Sequence, residues 1–302
     1  MQAQEVYWGI DLGGTKIEGV VFTTVPDLKV LSRIRLPTEQ NHGYDHILKQ
    51  IKKIIELLEI ESGLKASRIG IGTPGTIDSK TNTIKNSNTQ CIIGKPMNTD
   101  LEKLLGVPVK MANDANCFAY AETRMGAVQE LNFVPEVVFG IIMGTGVGGG
   151  IVVNNKIING LHGIAGEWGH NQLDNFGELC YCGKKACVET FISGPSIEKY
   201  YKELTGKSLM ANEIHDQSFL GDKASIQTMN RLIEYFGKAV AVVINILDPQ
   251  VIVLGGGLSH LEILYTSGHD EVKKHLFNKD FNTQFLKPKL GDSAGVIGAG
   301  LL

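Results

Sequence analysis

Apolar residues Ile47, Leu48, Ile51, Ile54, Ile55 and Leu58 recur at i, i+3 and i+4 across residues 44–62, with Lys and Glu on the opposite face. That spacing predicts an amphipathic helix with one side on a core. Ahead of it the runs are shorter. Residues 6–10 (VYWGI) read as a buried strand, 17–23 (IEGVVFT) alternate and read as a second, and 29–36 as a third. Between the first two lies Asp11-Leu12-Gly13-Gly14-Thr15-Lys16, a tight turn, so the chain opens as a β-hairpin and not as strand–turn–helix. Residues 68–72 predict another strand, ending in the turn Gly72-Thr73-Pro74-Gly75. Residues 98–105 read as helix and 107–111 as strand. A further helix is expected from Asp114 to about Met125, with Asn113 as its N-cap.

The second half starts in the same way. Residues 137–143 (VVFGIIM) form a strongly apolar strand that runs into Gly144-Thr145-Gly146-Val147-Gly148-Gly149-Gly150, with a second strand from Ile151. Two strand–glycine–strand openings suggest an internal duplication of one fold unit. Residues 230–247 predict a long helix with Leu232, Ile233, Phe236, Val240, Val243, Ile244 and Leu247 inward. Residues 251–254 read as a buried strand followed by Gly255-Gly256-Gly257, and 294–302 as a short terminal helix.

Length and composition narrow the class. The chain has 302 residues, enough for roughly two domains of about 150 each. A net charge of -3 gives no reason to expect nucleic acid or an anionic membrane as partner. No apolar stretch of about 18 residues is present, and the start MQAQEVYWGIDLGG lacks the basic and apolar regions of a signal peptide. A cytoplasmic location is therefore expected. The cysteine count of 5 is odd, which argues against a disulfide framework. Glycine, at 36 residues, exceeds the usual share of about 7% and is clustered in the turns.

Glycine turns of this kind can close backbone N–H groups around a phosphate, although ordinary tight hairpins would look the same. Neither turn fits the P-loop, which needs G-K-[ST] leading into a helix. Residues 144–149 spell G-x-G-x-x-G, yet a strand follows where the dinucleotide fingerprint requires a helix, so a nicotinamide-linked oxidoreductase is rejected. Asp11, at the end of the first strand, could face a magnesium ion on nucleotide phosphates or simply cap its own turn. Asp114 could be a general base or a first-turn carboxylate placed for the helix dipole.

Several motifs together resemble the ROK family of sugar kinases. Asp11-Leu12-Gly13-Gly14-Thr15-Lys16 resembles its first phosphate motif and Gly144-Thr145-Gly146-Val147-Gly148-Gly149-Gly150 its second. Ala112-Asn113-Asp114-Ala115-Asn116 resembles the catalytic motif and Gly166-Glu167-Trp168-Gly169-His170 the sugar-binding segment. Cys180-Tyr181-Cys182-Gly183 with Cys187-Val188-Glu189 is similar to the zinc signature. The order and separation fit over nearly the whole chain.

The resemblance implies an α/β fold of the two-domain, actin-like ATPase (ribonuclease H-like) type with a central cleft. The expected small domain is 1–115 with the terminal helix 291–302, and the large one is 116–290. ATP, Mg2+ and a structural Zn2+ are implied. The nucleotide would be held by Gly9, Ile10, Asp11, Leu12, Gly13, Gly14, Thr15 and Lys16, by Gly144 to Gly150 with Ile151, and by Gly255, Gly256 and Gly257. The sugar would meet Gly75, Asn88, Asn113, Asp114, Glu167, His170 and Glu189, with Asp114 as catalytic base. His170, Cys180, Cys182 and Cys187 would ligate zinc, one imidazole and three thiolates leaving no open position. His170 is expected to ligate through one ring nitrogen and to meet the sugar with the other. One departure stands in the zinc loop: Ala186 occupies a position where the family pattern C-G-x-x-G-C has glycine. Cys91 and Cys117 read as ordinary free thiols.

Ala165-Gly166-Glu167-Trp168-Gly169-His170-Asn171, Lys85-Asn86-Ser87-Asn88 and Glu189-Thr190-Phe191-Ile192-Ser193-Gly194 resemble the bacterial fructokinase (manno-fructokinase) branch. The expected reaction is therefore transfer of the ATP γ-phosphoryl group to the 6-hydroxyl of fructose. N-acetylglucosamine or N-acetylmannosamine kinase and glucokinase are the alternatives, and a sugar-sensing protein without catalysis is a more distant one. Family members are often dimers, which keeps a homodimer open.

Overall fold

The computed structural model describes residues 5–25, 27–78 and 80–302. Residues 1–4, where the N-terminus expected to carry no leader begins, lie outside the described residues. In chain order the elements are β1 (Val6–Leu12), β2 (Lys16–Thr23), β3 (Lys29–Pro37), α1 (Tyr44–Ser62), β4 (Ile69–Thr73), β5 (Thr76–Ile77), β6 (Ile84–Lys85), α2 (Met97–Leu105), β7 (Val109–Asn113) and α3 (Asp114–Arg124). They continue with β8 (Val137–Met143), β9 (Val147–Val153), β10 (Lys156–Ile157), α4 (Glu189–Ile192), α5 (Gly194–Thr205), α6 (Ala211–Phe219), α7 (Lys223–Leu247), β11 (Val251–Gly255), α8 (Ser267–His275), β12 (Gln284–Leu286) and α9 (Ala294–Gly300).

The chain divides into two units. The first holds the described residues up to Gly126, with Ile158–Ala165 and Leu290–Leu302; the second holds Ala127–Ile157 and Gly166–Lys289. The sheet of the first unit has the order β3-β2-β1-β4-β7, and that of the second β10-β9-β8-β11-β12. In each, an antiparallel three-strand start is followed by two parallel strands. The duplication suggested by the two glycine hairpins is thus repeated in strand order and direction.

In the first unit the strand period of two sorts the chain onto two faces. Trp8, Ile10 and Leu12 of β1, with Ile69 and Ile71 of β4, join Ile47, Ile51, Ile54 and Leu58 of α1 in one core. The residues between them face the other way. Any Cβ on Gly9 or Gly70 would overlap the carbonyl oxygen of Val296 or Ala299. The alternation Ile69-Gly70-Ile71-Gly72 therefore packs isoleucine against α1 and leaves room for the backbone of α9. Gly63 closes α1 in the left-handed region (φ 70), its N–H donating to the Glu59 carbonyl.

The core of the second unit gathers Phe139, Ile141 and Met143 of β8, Trp168, Phe191, and Leu232, Phe236, Val240 and Ile244 of α7. Helix α7 begins at Lys223, ahead of the 230 expected from its apolar stripe, because the Asp222 side chain accepts from Ser225 N–H and caps it there. Helices α5, α6 and α8 were not expected. α8, for example, buries only Gly268 and Val272, too few apolar positions to show a period.

Both glycine turns are tighter than expected. The β1–β2 ladder continues to Leu12↔Ile17, and Gly13 N–H donates to the Lys16 carbonyl at 2.9 Å, so the first turn is residues 13–15. The β8–β9 ladder continues to Met143↔Val147, which confines the second to residues 144–146. Gly148, Gly149, Gly150 and Ile151 lie in β9 and not in a turn.

Candidate active site

In the first unit, the turn at Gly13–Thr15 is fixed by Thr38. Its hydroxyl donates to the Gly13 carbonyl at 2.6 Å and its N–H to the Thr15 carbonyl at 2.9 Å. Asp11 leaves β1 on the same face as Gly9. Its carboxylate stands over Gly72 and Gly295, where added Cβ atoms would lie 3.5 and 3.6 Å from it. The Asp11 pKa is raised to about 6, first by burial and then by the carboxylates of Asp114 and Glu18, against a weaker pull from Lys16. Glu18 is itself held by Arg33 at 2.6 Å and Arg35 at 2.7 Å.

Asn113 ends β7 and caps α3. Its Oδ1 accepts from Ala115 N–H at 2.9 Å, while its Nδ2 donates to the Gly75 carbonyl at 3.2 Å. Gly75 sits at φ 83, where L side chains are strained. The sequence-expected pair Asn113 and Gly75 is thus brought together. Asp114, the first residue of α3, also accepts from Ala115 N–H, at 2.8 Å. Its surface is open to solvent, yet enough protein crowds the carboxyl that desolvation raises its pKa, against the lowering effect of the helix amides and Asn113. The helix N-terminus alone would make it a weak base; the crowding makes it a stronger one. Asn88 is exposed, next to Thr89, whose hydroxyl would lie 3.7 Å from a Cβ on Gly14.

In the second unit, the 144–146 turn is tied down from three sides. Glu189 Oε2 accepts from Val147 N–H at 2.9 Å. Gly194, the first residue of α5, donates its N–H to the Gly144 carbonyl at 2.8 Å. Gly256, at φ 78, closes on Met143 so tightly that a Cβ there would overlap the Met143 carbonyl oxygen. Gly257 N lies 3.9 Å from where a Gly144 Cβ would stand. The 144–146 turn and the Gly255-Gly256-Gly257 segment are therefore neighbours. The glycines of β9 also take part in packing. Trp168 Nε1 donates to the Gly148 carbonyl at 3.0 Å, and a Cβ on Gly149 would stand 2.7 Å from Phe139 and Trp168. They let the loop carrying Glu167 lie flat on the strand.

That loop leads into the cysteine cluster. One ligand atom each from His170, Cys180, Cys182 and Cys187 lies within 4.8 Å of the others. Cys180 Sγ is 3.5 Å from His170 Nδ1, and Cys182 Sγ is 3.6 Å from Cys187 Sγ. His170 Nε2, expected to meet the sugar, is 3.0 Å from the Tyr181 hydroxyl. The sequence alone did not single out Tyr181, which lies between Cys180 and Cys182. Tyr181 is largely exposed as a residue, but partial burial of its hydroxyl, followed by the negative charge of Glu189, Cys180 and Glu167, pushes its pKa up to about 12. Arg231, also missed, stacks on Tyr200 at 4.6 Å and donates to the Phe191 carbonyl at 3.2 Å, holding the turn of α4 that starts at Glu189. No local pattern links α7 to α4, so no sequence signal pointed to it. Ala186 takes φ 57 and is fully buried, which explains the glycine of the family pattern at that position.

The chain matches the ROK family over residues 7–302. An N-acetyl-D-glucosamine kinase of Histophilus somni is 37% identical, covering 98% of both chains. One from Haemophilus influenzae is 36% identical over 98% of this chain and 99% of its own. Among solved structures, a ROK hexokinase of Thermus thermophilus superposes with a TM-score of 0.86 at 30% identity, covering 98% of this chain and 97% of that one. The chain belongs to the ROK family, and it has the two-domain, actin-like α/β fold expected from its motifs.

Fructose as the substrate does not stand. The full-length relatives at 34–37% identity are N-acetyl-D-glucosamine kinases. The short segments that pointed to fructose include Trp168 and the β9-facing loop, which pack against Gly148 and Gly149. Residues fixed by packing report the fold of the loop and not the sugar. Among the described residues no helix is long and apolar enough to cross a membrane.

Proposed function

We propose that this chain is an ATP-dependent N-acetylglucosamine kinase that phosphorylates the sugar 6-hydroxyl, with Asp114 as general base. The observation that carries the reading is full-length identity of 37% to an N-acetyl-D-glucosamine kinase, joined to a crowded, raised-pKa carboxyl at the start of α3. A sugar hydroxyl attacks poorly until its proton is taken, and Asp114 is the carboxylate that takes it. Asn113 and Gly75, bonded to each other, present the backbone that shapes the sugar's rim. Glu167, Glu189 and His170 supply further polar groups for its hydroxyls and acetamide. N–H groups of the 13–15 and 144–146 turns receive phosphate oxygens, and Gly255, Gly256 and Gly257 lie along the nucleoside.

Asp11 fits magnesium: it is a carboxylate raised by burial and by neighbouring negative charge, which a cation relieves. Bound there, Mg2+ would neutralise charge on the phosphates. The cysteine cluster fits zinc. Tetrahedral zinc with Zn–S of about 2.3 Å sets its sulfurs about 3.8 Å apart, close to the 3.6 Å between Cys182 and Cys187. Burial and the neighbouring thiols push Cys187 up to about 12, a cost that a divalent cation reverses. All four positions would be filled by protein, so the ion is structural, holding the 167–189 loop.

Two results are expected. In a coupled assay of ADP release against N-acetylglucosamine, N-acetylmannosamine, glucose and fructose, the highest kcat/KM belongs to N-acetylglucosamine, at least about tenfold above fructose, equivalent to about 1.4 kcal/mol. A preference for fructose or glucose refutes the choice of sugar. Cys182→Ala removes the bound zinc and lowers Tm together, since metal affinity and folding are linked. Full thermal stability in a zinc-free variant refutes the structural role.

A further inference from the structure

The connection from β3 to α1 gathers a second set of metal-competent side chains, remote in sequence from the cysteine cluster. Glu39, His42 and His46 each offer one ligand atom, and these atoms lie within 4.8 Å of one another. His46 Nε2 is 2.7 Å from Glu39 Oε2. The His42 and His46 rings meet edge to face with centroids 4.9 Å apart. Glu39 precedes a single 3-10 turn over Gln40–His42, and Gly43, at φ 88, reverses the chain into α1, which carries His46 in its first turn. Three ligands from one short segment thus converge.

Two features set this cluster apart from a casual surface ion pair. Glu39 holds a left-handed conformation, φ 50 and ψ 45, which costs a non-glycine residue about 1 kcal/mol or more. Its carboxylate is also supported from behind. Gln50 Nε2 is 3.3 Å from Glu39 Oε2 and donates to the Pro37 carbonyl at 2.8 Å, and Gln50 is buried. A ligating carboxylate oriented by an outer hydrogen bond is the arrangement metal sites use.

We propose that Glu39, His42 and His46 form a second site for a divalent transition-metal ion of the zinc class, with water completing the coordination. Two imidazoles and one carboxylate suit zinc, nickel or copper(II), whereas magnesium and calcium favour all-oxygen sets. Bonds of about 2.0–2.2 Å place tetrahedral ligand atoms about 3.4 Å apart. The ion replaces the Glu39–His46 hydrogen bond, opening that pair slightly and drawing His42 in. The site lies against the first phosphate turn, because Thr38, next to Glu39, holds both Gly13 and Thr15. Metal there pins the 38–46 segment onto that turn. The assignment does not depend on which sugar, if any, the chain phosphorylates.

The test dialyses wild type, His42→Ala and the His42→Ala/His46→Ala double variant against micromolar free zinc in the presence of millimolar magnesium, then counts zinc per chain by elemental analysis. Wild type is expected to hold one ion more per chain than either variant. Hydrogen exchange across residues 38–46 should slow on zinc addition in wild type alone. His42 is exposed, so its single variant keeps the fold, and matching melting curves without metal check this. Equal zinc in wild type and both variants, or loss of the extra ion to magnesium, overturns the proposal.

Discussion

Asp114→Asn lowers kcat for N-acetylglucosamine phosphorylation by about 10²–10⁴-fold, the usual value of positioned general-base help. The substitution keeps shape and hydrogen-bond capacity, so Asn113 still caps α3 through Ala115 and the fold is undisturbed. What it removes is proton affinity. Desolvation by the protein crowded around it has raised that affinity in the native carboxyl despite the helix amides opposing it. Since the loss falls on the chemical step, sugar KM should move by no more than about threefold. The measurement is steady-state kinetics with sugar binding checked by calorimetry. A variant within about threefold of wild-type kcat sinks the base assignment. A variant that loses sugar binding along with turnover points instead to Asp114 as a binding group. Asp11→Asn provides a contrast: a group that acts on the nucleotide side should raise KM for ATP and its magnesium dependence more than that for sugar.

These residues were readable before the fold was known because their chemistry is local. A helix start needs Asn113 and Asp114 side by side, and a tight turn needs glycines in sequence, so both survive in a linear text. The cysteine–histidine cluster was legible for the same reason, three cysteines and a histidine lying within one loop. What the sequence hid is long-range. The turn boundaries moved because cross-strand pairing carried β1 through Leu12 and started β9 at Val147. Gly148, Gly149 and Gly150 were expected as part of the second phosphate motif, and only the packing of the loop bearing Trp168 shows why Gly149 is small. Glu189 was expected at the sugar; what the structure shows is its tie to Val147 N–H, 42 residues away. The sugar itself was misread for a related reason. Discrimination among hexoses rests on pocket contacts collected from several loops, and no one of the motifs quoted for fructose carries it.

Gly298→Ala unfolds more of this protein than any surface change and disables what remains. A Cβ at Gly298 would overlap the Cys117 carbonyl oxygen and stand 2.6 Å from its carbon. The obstacle is helix backbone in α3, which cannot rotate aside as a side chain would. Helix α9 must therefore lift, and it is already seated without clearance against Gly9 and Gly70. Overpacking of this kind costs about 1–3 kcal/mol and sometimes more, and the better helix propensity of alanine returns about 1 kcal/mol at most. The contact is with rigid backbone on both sides, which puts the cost at the upper end, so a net loss of about 2 kcal/mol is expected in urea unfolding. Gly257→Ala is the matched control. Nothing stands within 4 Å of a Cβ there, and its stability should change by less than about 0.5 kcal/mol. The folded fraction of Gly298→Ala should also turn over more slowly. Cys117 lies on the first turn of α3, one turn from Asp114, so pushing it moves the proposed base, and a shift of about 1 Å costs on the order of 10²-fold. Wild-type stability in Gly298→Ala would mean that α9 docks more loosely than its glycines imply, and that the base is positioned by Asn113 and β7 alone.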